Sequence, residues 1–206
     1  MPVEISNLRT LVLAVTGASG SLFAQKMLEI LDRDERVERV HLVLSPSAMR
    51  VLAEESELPA RGTLVEKLLG HASSKVTQLP YEDIGAPIAS GSYITGGMIV
   101  LPCSMGTLAG ISQGLAANLI ERAADVHLKE RRPLVLCVRE TPLNLIHIRN
   151  MATATEAGAT VFPLIPTFYN HPQTIDDIAR NYVHRVLQHI GLPQPDAFHW
   201  GEAPNA

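Results

Sequence analysis

Short apolar runs alternate with helical patterns along the chain. Five of the runs are rich in β-branched residues and lack polar alternation, which is typical of strands buried on both faces of a parallel sheet. They are TLVLAVTG, RVHLVLS, GMIVLPCS, PLVLCV and TVFPLI. The stretches between them carry apolar residues at helical spacing. They predict helices over 20–34, 46–56, 62–70, 104–131 (with a break near Gly114 or Asn118), 142–158 and 174–190.

This β–α alternation predicts a doubly wound α/β fold, flavodoxin-like or Rossmann-like, with a mostly parallel sheet and right-handed crossovers. A length of 206 residues and a hydrophobic content of 46% suit one domain with a sizeable core. We therefore expect a single domain over 1–206. Its proline-rich stretch 191–206 lacks periodicity and predicts a C-terminal tail.

Charge and cysteine content narrow the range of partners. A formal net charge of -4, with 18% charged residues, provides no basic field of the kind that nucleic-acid binding needs. The N-terminus has no signal pattern, and no apolar stretch approaches the ~20 residues of a membrane span. Cys103 and Cys137 lie in apolar runs, which indicates buried thiols in a reducing compartment. We expect a cytoplasmic protein that binds neither nucleic acid nor membrane and that associates with its own copies.

The first apolar run ends in the turn TGASGS, at the place where an open α/β sheet binds its ligand. Glycine at 17 and 20 lets the backbone approach an anion, and Ser19 can bond the free N–H groups at the start of the next helix. A bound phosphate and a tight turn with a serine cap both explain this pattern.

A second turn of the same kind follows the run that ends at Pro102. Ser104, Met105, Gly106 and Thr107 open a helix at the same edge of the predicted sheet. Ordinary capping by Ser104 explains this turn when it is taken alone. Two such turns at one edge favour a bound anionic ligand.

The sequence does not match several well-known ligand-binding and catalytic motifs. The first turn lacks the Gly-Lys-Ser/Thr ending of a Walker A loop and the third glycine of a dinucleotide fingerprint. Ser45 ends the second strand where a NAD-binding domain has an acidic residue, so a mononucleotide fits better. The sequence has no H-E-x-x-H, C-x-x-C, clustered histidines or G-x-S-x-G, and we expect neither a metal site nor a serine hydrolase.

Charged residues in the middle of the chain suggest a second binding region. Arg122 and Lys129 share a helix face, with Asp125 placed to pair with Lys129, and a solvated ion-paired face is the default explanation. Arg139 and Glu140, however, follow a buried strand at the crevice edge, where charges are usually functional. Arg139 can hold a phosphate or polarise a flavin-type ring, and Glu140 can relay a proton.

Further along, Tyr169 follows another predicted strand and Arg185 lies on the last helix. Taken alone, Arg185 is typical of a surface group. Taken together, these arginine, lysine and tyrosine side chains indicate that a phosphate is handled without a metal ion.

Several blocks of the sequence together resemble the flavin prenyltransferases, the UbiX family. They are TGASG, LVLS, SGS at 90–92, LPCSMGTLAGI, NLIERAADVHLKERRPLVLCVRETPLN and FYNHPQ, within a similarity that runs from about residue 9 to Trp200. The resemblance implies a flavodoxin-like, dodecameric enzyme that uses reduced FMN as a substrate. Such an enzyme joins a dimethylallyl group from dimethylallyl monophosphate to flavin N5 and C6, and a UbiD-type decarboxylase receives the prenylated FMN.

By position, the resemblance also assigns roles to individual residues. The implied FMN contacts are Gly17, Ala18, Ser19, Ser45, Ser104, Met105, Gly106, Thr107 and Arg139. The implied groups around the prenyl phosphate are Ser90, Arg122, Lys129, Tyr169 and Arg185, with neighbouring subunits completing the site. The resemblance implies four catalytic residues, Glu55, Lys129, Glu140 and Trp200. Of these, Glu55 and Glu140 are implied to handle protons, and Trp200 to lie near the prenyl group.

Two other functions remain open. An FMN-dependent cysteine-peptide decarboxylase of the same fold needs a histidine after the second strand, where this chain reads AMRVLAEESEL. A non-catalytic FMN-binding module has no use for a second phosphate site. The chain also departs from the family pattern at Pro46-Ser47, where Lys-Ala is expected, and Trp200 lies in a tail that can be mobile before substrate binds.

Overall fold

Six strands form one parallel sheet in the order β3-β2-β1-β4-β5-β6, in a computed structural model that describes residues 9–56 and 59–201. The strands are β1 Thr10–Val15, β2 Arg39–Leu44, β3 Val76–Leu79, β4 Gly97–Cys103, β5 Leu134–Val138 and β6 Thr160–Val161. All neighbouring pairs are parallel. The order is that of Rossmann-type doubly wound sheets. The predicted doubly wound α/β fold is therefore confirmed.

The helices lie close to the predicted spans. They are α1 Ser21–Arg33, α2 Pro46–Glu55, α3 Leu64–Leu69, α4 Met105–Ser112, α5 Leu119–Lys129, α6 Leu145–Glu156 and α7 Ile175–His189, with a short 3-10 turn at Pro87–Ala89. The predicted break in the fourth span separates α4 from α5. It is set by Asn118, whose side-chain oxygen accepts a hydrogen bond from the Glu121 amide at 3.0 Å and so begins α5.

Both faces of the sheet are covered. Leu11, Leu13 and Val15 of β1 pack in a core with residues of α1, α2, α3 and α7. Val12 and Ala14, which alternate with them, pack in a second core with residues of α4, α5 and α6. All five side chains are at most 5% exposed, which confirms a strand that is apolar on both faces.

Two strands differ from the sequence prediction. The edge strand Val76–Leu79 was not predicted, because only Val76 in it is buried and no apolar run marks it. The run TVFPLI forms a strand only over Thr160–Val161, because Pro163 has no N–H group to continue the ladder. The amides of Phe162 and Leu164 still donate to β5 carbonyls at 2.9 Å, so the chain continues alongside β5.

The two cysteines lie in the core. Cys103 and Cys137 are free and fully buried, as their apolar surroundings in the sequence predicted. Burial raises the pKa of the Cys137 thiol to about 12, which keeps it protonated. Among the helices of the described ranges, none combines the length and apolarity that crossing a membrane requires.

A row of hydrogen bonds joins the carboxyl ends of four adjacent strands. The Ser45 amide after β2 donates to the last carbonyl of β1 at 3.0 Å, and the Arg139 amide after β5 donates to the last carbonyl of β4 at 3.1 Å. Between them, the Thr16 hydroxyl donates to the Pro102 carbonyl at 2.9 Å and accepts from the Ser104 amide at 2.8 Å. Thr16, only 1% exposed, therefore fixes the first predicted turn against the second.

We expect Thr16→Val to destabilise the fold by about 1–3 kcal/mol, because an isosteric methyl leaves the partly buried Ser104 amide without its acceptor and leaves the Pro102 carbonyl with only the Thr16 amide at 3.2 Å. Urea unfolding at fixed protein concentration measures the loss. The control is Thr155→Val on the surface of α6, where the lost bond to the Met151 carbonyl is exposed and the effect stays within about 0.5 kcal/mol. Equal losses in the two variants would contradict a special role for Thr16.

Candidate active site at the carboxyl edge of the sheet

The first turn, residues 17–19, packs tightly against the start of α2. A Cβ on Gly17 would lie 2.5 Å from the Cβ and Oγ of Ser47, so only glycine fits there. Ser45 caps α2, and its Oγ lies 3.1 Å from the Oγ of Ser47. Pro46 occupies the first position of α2, where its missing N–H costs nothing. The Pro46-Ser47 departure thus leaves the start of the helix intact.

Glu55 at the end of α2 occupies the N-terminus of α1. Its carboxylate accepts hydrogen bonds from the Ser21 amide at 2.8 Å, the Ser21 hydroxyl at 2.7 Å and the Gly20 amide at 3.1 Å. The serine-cap interpretation of this turn is wrong, because the cap residue is Gly20, and the N–H groups that were expected to be free donate to an acid from another helix. We therefore expect an anion at the first turn to lie off the α1 axis, towards the hydroxyls of Ser45 and Ser47.

The environment of Glu55 favours its charged form. Partial burial by itself raises the pKa of the Glu55 carboxyl, but hydrogen bonds from Ser19, Ser21 and Gly20 outweigh burial and hold the pKa below its usual value. The carboxylate also meets the positive end of the α1 dipole. Glu55 is therefore ionised at neutral pH and is held in place by α1.

The second turn caps α4 and leaves open surface beside it. Ser104 accepts from the Thr107 amide at 3.4 Å, and the two hydroxyl oxygens lie 3.1 Å apart, so the capping interpretation is confirmed. Within 9–56 and 59–201, no acceptor bonds the amides of Met105 or Gly106. Among the described residues, apart from the two chain neighbours of Gly106 and the nearby α4 backbone, no atom lies within 4 Å of the place where a Cβ on Gly106 would stand. A flat ring can therefore approach the backbone here.

Arg139 and Glu140 lie at the same edge, directly after β5, as the sequence predicted. Both are exposed. The Glu140 carboxylate accepts from the Thr141 amide at 2.9 Å, and no acid of the described ranges pairs with the Arg139 guanidinium. The edge thus offers one unpaired cation beside the two serine-rich turns.

Three of the predicted phosphate-binding residues form one cluster. The Arg122 Nε donates to the Ala89 carbonyl at 3.0 Å, which places the guanidinium next to Ser90. Lys129 approaches from the same helix, since a Cβ on Gly91 would stand 2.7 Å from its Nζ. Ser90, Arg122 and Lys129 therefore meet around residues 89–91, and we call this group the α5 cluster.

The cations of the α5 cluster are paired with acids of their own chain. Arg122 contacts Asp125 at 2.9 Å, and Lys129 contacts Glu130 at 2.6 Å. The predicted Asp125–Lys129 pair is therefore wrong, because each cation takes a nearer carboxylate. All four side chains are at least 35% exposed, and exposed pairs of this kind contribute little. A doubly charged phosphate can therefore displace these acids.

The loop that carries Ser90 is fixed by residues that the sequence pattern did not indicate. Arg132 donates to the carbonyls of Gly91 at 2.5 Å and Tyr93 at 2.8 Å. His127 bonds a carbonyl of α5 through Nδ1, so Nε2 is the acceptor for the Thr95 hydroxyl at 2.9 Å. Burial lowers the pKa of His127 to about 4, which keeps the ring neutral. The only sequence signal was that Arg132 lies in the block KERRPL.

Tyr169, Arg185 and Trp200 line a separate cavity of about 290 Å³. Trp200 packs its ring edge-on against Tyr169, with centroids 5.3 Å apart, although the tryptophan itself is 79% exposed. The Asn170 Oδ1 lines the same cavity and is buried without a hydrogen-bond partner in the described part of the chain. We call this the α7 cavity.

The predicted prenyl-phosphate residues thus fall into two groups. Within the residues that the structure describes, no hydrogen bond or ion pair joins the α5 cluster to Tyr169 or Arg185. The same residues contain no group of three or more histidine, cysteine, aspartate or glutamate side chains placed to hold a metal ion. Each group on its own offers cations or aromatic faces suited to an organic phosphate.

We expect Glu55→Gln to destabilise the protein at pH 7 by about 1 kcal/mol, a value discounted for solvent exposure. Because the native pKa of Glu55 is lowered, its stabilisation is complete above the ordinary value of about 4.3 and is lost as pH falls through the native value. Unfolding curves of wild type and variant should therefore converge in acid. Glu54→Gln, which loses only an exposed pair with Arg50, is the control and stays near wild type. A pH-independent deficit in Glu55→Gln would contradict the assignment.

Comparison with known proteins shows which proteins this chain is similar to. Residues 2–187 match the family described as Flavoprotein. The flavin prenyltransferase UbiX of Salmonella typhimurium is 45% identical over 188 residues, which cover 91% of this chain and 95% of that protein.

Two solved structures are also similar. AnUbiX (PadA1) in complex with FMN and dimethylallyl pyrophosphate has a TM-score of 0.84 at 42% identity, over 95% of this chain and 99% of the other. A dodecameric FMN-dependent UbiX-like decarboxylase from Escherichia coli O157:H7 has a TM-score of 0.83 at 42% identity, over 94% and 100% of the two chains. The chain therefore belongs to the flavin prenyltransferase (UbiX) family of flavoproteins.

Proposed function

We propose that this protein is a flavin prenyltransferase, which transfers a dimethylallyl group from dimethylallyl monophosphate to N5 and C6 of reduced FMN. The observation that carries the proposal is that the chain has, besides the turns at the sheet edge, two further groups of cationic and aromatic side chains, the α5 cluster and the α7 cavity. A flavoprotein that only binds FMN needs one phosphate site.

The residues at the sheet edge fit FMN. The hydroxyls of Ser45 and Ser47 lie 3.1 Å apart beside the first turn, off the α1 axis that Glu55 occupies, and suit the flavin phosphate. The open backbone over Gly106 and the unpaired Arg139 suit the ring system. When bound, reduced FMN supplies the nucleophilic positions at which the new carbon bonds form.

Cleavage of the allylic C–O bond releases a phosphate, which carries away the bonding electron pair. Arg122, Lys129 and Arg185 stabilise this leaving group by charge, and no metal ion is required. The ring faces of Trp200 and Tyr169 stabilise positive charge on the allyl group as the bond breaks. Different side chains thus bind the leaving phosphate and stabilise the positive charge on the allyl group.

Proton transfer falls to the acids at the sheet edge. The N5–C bond replaces the broken C–O bond as N5 loses its proton, and the C6–C bond forms when the remaining alkene takes up a proton and C6 attacks the resulting cation. Glu140, exposed next to Arg139, accepts the proton that C6 then loses. Glu55 is held ionised by the N-terminus of α1, so its carboxylate keeps a fixed charge beside the first turn. We assign Glu140 as the acceptor and Glu55 as a charge that orients the proton transfer.

We infer that the complete site is formed between copies of the chain. The α5 cluster and the α7 cavity are not joined within one chain, and large apolar side chains are exposed around α6, among them Leu145, Ile146 and Ile148. Their burial against other copies supports a homo-oligomer, for which we propose a dodecamer. The product passes to a UbiD-type decarboxylase, and we place both proteins in the cytoplasm.

Anaerobic incubation with reduced FMN and dimethylallyl monophosphate should yield a flavin whose mass is increased by one C5H8 unit, measured by mass spectrometry of the released flavin. The yield should be unaffected by EDTA, because the phosphate is bound by side chains alone. Oxidised FMN is the control and should remain unmodified. Recovery of unaltered FMN from the reduced mixture would contradict the proposal, as would a requirement for a divalent cation.

Lys129→Ala and Arg185→Ala should each bind FMN normally but lose turnover by about 10²–10³-fold, since each removes one cation from the leaving phosphate. Mixed oligomers of the two variants should regain activity, because some sites then combine an intact Lys129 with an intact Arg185. Lys67→Ala on α3 is the control for loss of a lysine and keeps full turnover. Mixtures that stay inactive would show that both residues serve from the same chain.

A further inference from the structure

His184 lies at the boundary of two cavities and is only 4% exposed. One is the α7 cavity, and the other is a cavity of about 650 Å³ between α1, α7 and the C-terminal segment. His184 lines both of them. Residues 194–196 line the larger cavity and residues 197–200 line the α7 cavity, so segment 193–200 passes across His184.

The ring nitrogens of His184 are poorly suited to carry a charge. Within 9–56 and 59–201, Nδ1 has no hydrogen-bond partner. Nε2 lies 3.8 Å from the Asp196 Oδ1, which is beyond hydrogen-bond distance. A protonated imidazole needs an acceptor at each nitrogen, whereas a neutral ring needs fewer. The geometry therefore fits the neutral form.

The charged and titratable side chains around His184 belong to α7, to segment 193–200, and to α1 with the turn that follows it. On α7 these are Arg180, which pairs with Asp177, and Arg185, next in sequence; the segment contributes Asp196 and His199. The remaining charged groups of the larger cavity are Lys26, Glu29, Arg33, Asp34, Glu35, Arg36 and Asp176. Burial has the largest effect and lowers the pKa of His184, Asp196 raises it and Arg180 lowers it further, so it lies below the ordinary value.

The segment is hydrogen-bonded at its beginning and has exposed aromatic contacts at its far end. The Pro193 carbonyl accepts from Arg36 at 3.0 Å, and the Gln194 amide donates to the Asp34 carboxylate at 3.1 Å. The rings of Phe198 and Trp200 contact Tyr169 with centroids 5.4 Å and 5.3 Å apart, and both side chains are exposed. His184 is the buried side chain between these ends, so a charge on its ring would weaken the packing of the far end on α7.

We propose that His184 is a positioning residue for the prenyl-phosphate site, whose neutral ring seats segment 193–200 on α7 and keeps Trp200 beside Tyr169 and Arg185. This inference deepens the proposed function and rests on it for the identity of the substrate. The seating of the segment itself does not depend on that function.

The packing of segment 193–200 on α7, which we call its seating, weakens as the pH falls. Covering the ring disfavours its protonation, because the added charge would lack acceptors and would lie near Arg180 and Arg185. Seating is therefore complete above the ordinary histidine pKa of about 6.5 and is lost as pH falls through the lower value of the seated state. An ion pair with Asp196 as the dominant contact would produce the opposite trend.

Hydrogen–deuterium exchange of the peptide covering 193–200, in the full oligomer without ligands, tests this directly. After correction for intrinsic exchange, protection should fall between about pH 7.5 and about pH 5, by at most about tenfold per pH unit for one proton. His184→Gln, and His184→Phe as a second variant, should give flat profiles. His189→Gln, an exposed histidine of α7, is the control and should match wild type. The reference protein and all variants carry His199→Gln, which removes the other imidazole of the α7 cavity.

A parallel activity measurement connects the seating to the reaction. In wild type the KM for dimethylallyl monophosphate should rise on acidification relative to His184→Gln, while the ratio of their kcat values stays constant. An acid loss of protection retained in both His184 variants would overturn the proposal, as would protection that rises in acid. Flat variant profiles without any prenyl transfer would leave the seating intact and would refute only the proposed function.

Discussion

The Thr16 hydroxyl is the contact on which the candidate site most depends. It joins the turn after β1 to the turn after β4 through the Pro102 carbonyl and the Ser104 amide. These strands are adjacent and parallel, so their ligand-binding turns already share one edge. The threonine fixes their separation within that edge. The serine-rich first turn and the open backbone of the second then face a single ligand from positions that neither turn determines alone.

The order of strands and helices could be predicted because apolar runs and helical spacing are local in the sequence. The strand Val76–Leu79 could not be predicted, because an exposed edge strand has no such apolar run. Two further features could not be predicted, because each depends on contacts between separate parts of the sequence. They are the capping of α1 by Glu55 and the burial of His184 under the C-terminal segment. The family resemblance supplied the list of site residues. It also implied that neighbouring subunits complete the site, but not which of these residues group together within one chain.

Electrostatic balance explains how a chain with an excess of acids can bind phosphates. Its binding cations are held by weak, exposed pairs such as Lys129–Glu130, which an incoming phosphate can replace. Glu55, by contrast, is held by several hydrogen bonds and does not exchange as easily. We therefore expect anions to bind at the first turn and the α5 cluster rather than at the α1 terminus. We propose that assembly of several copies brings the α5 cluster of one chain towards the α7 cavity of another.

The central claim is that one site binds two phosphates, with the second held between chains. A crystal structure of the assembled protein with reduced FMN and an unreactive analogue of dimethylallyl monophosphate tests it most directly. The account predicts one phosphate at the first turn, off the α1 axis, and a second between Lys129 of one copy and Arg185 of another. A single phosphate per site, a phosphate that displaces Glu55 from α1, or a metal ion bridging the two anions would contradict it.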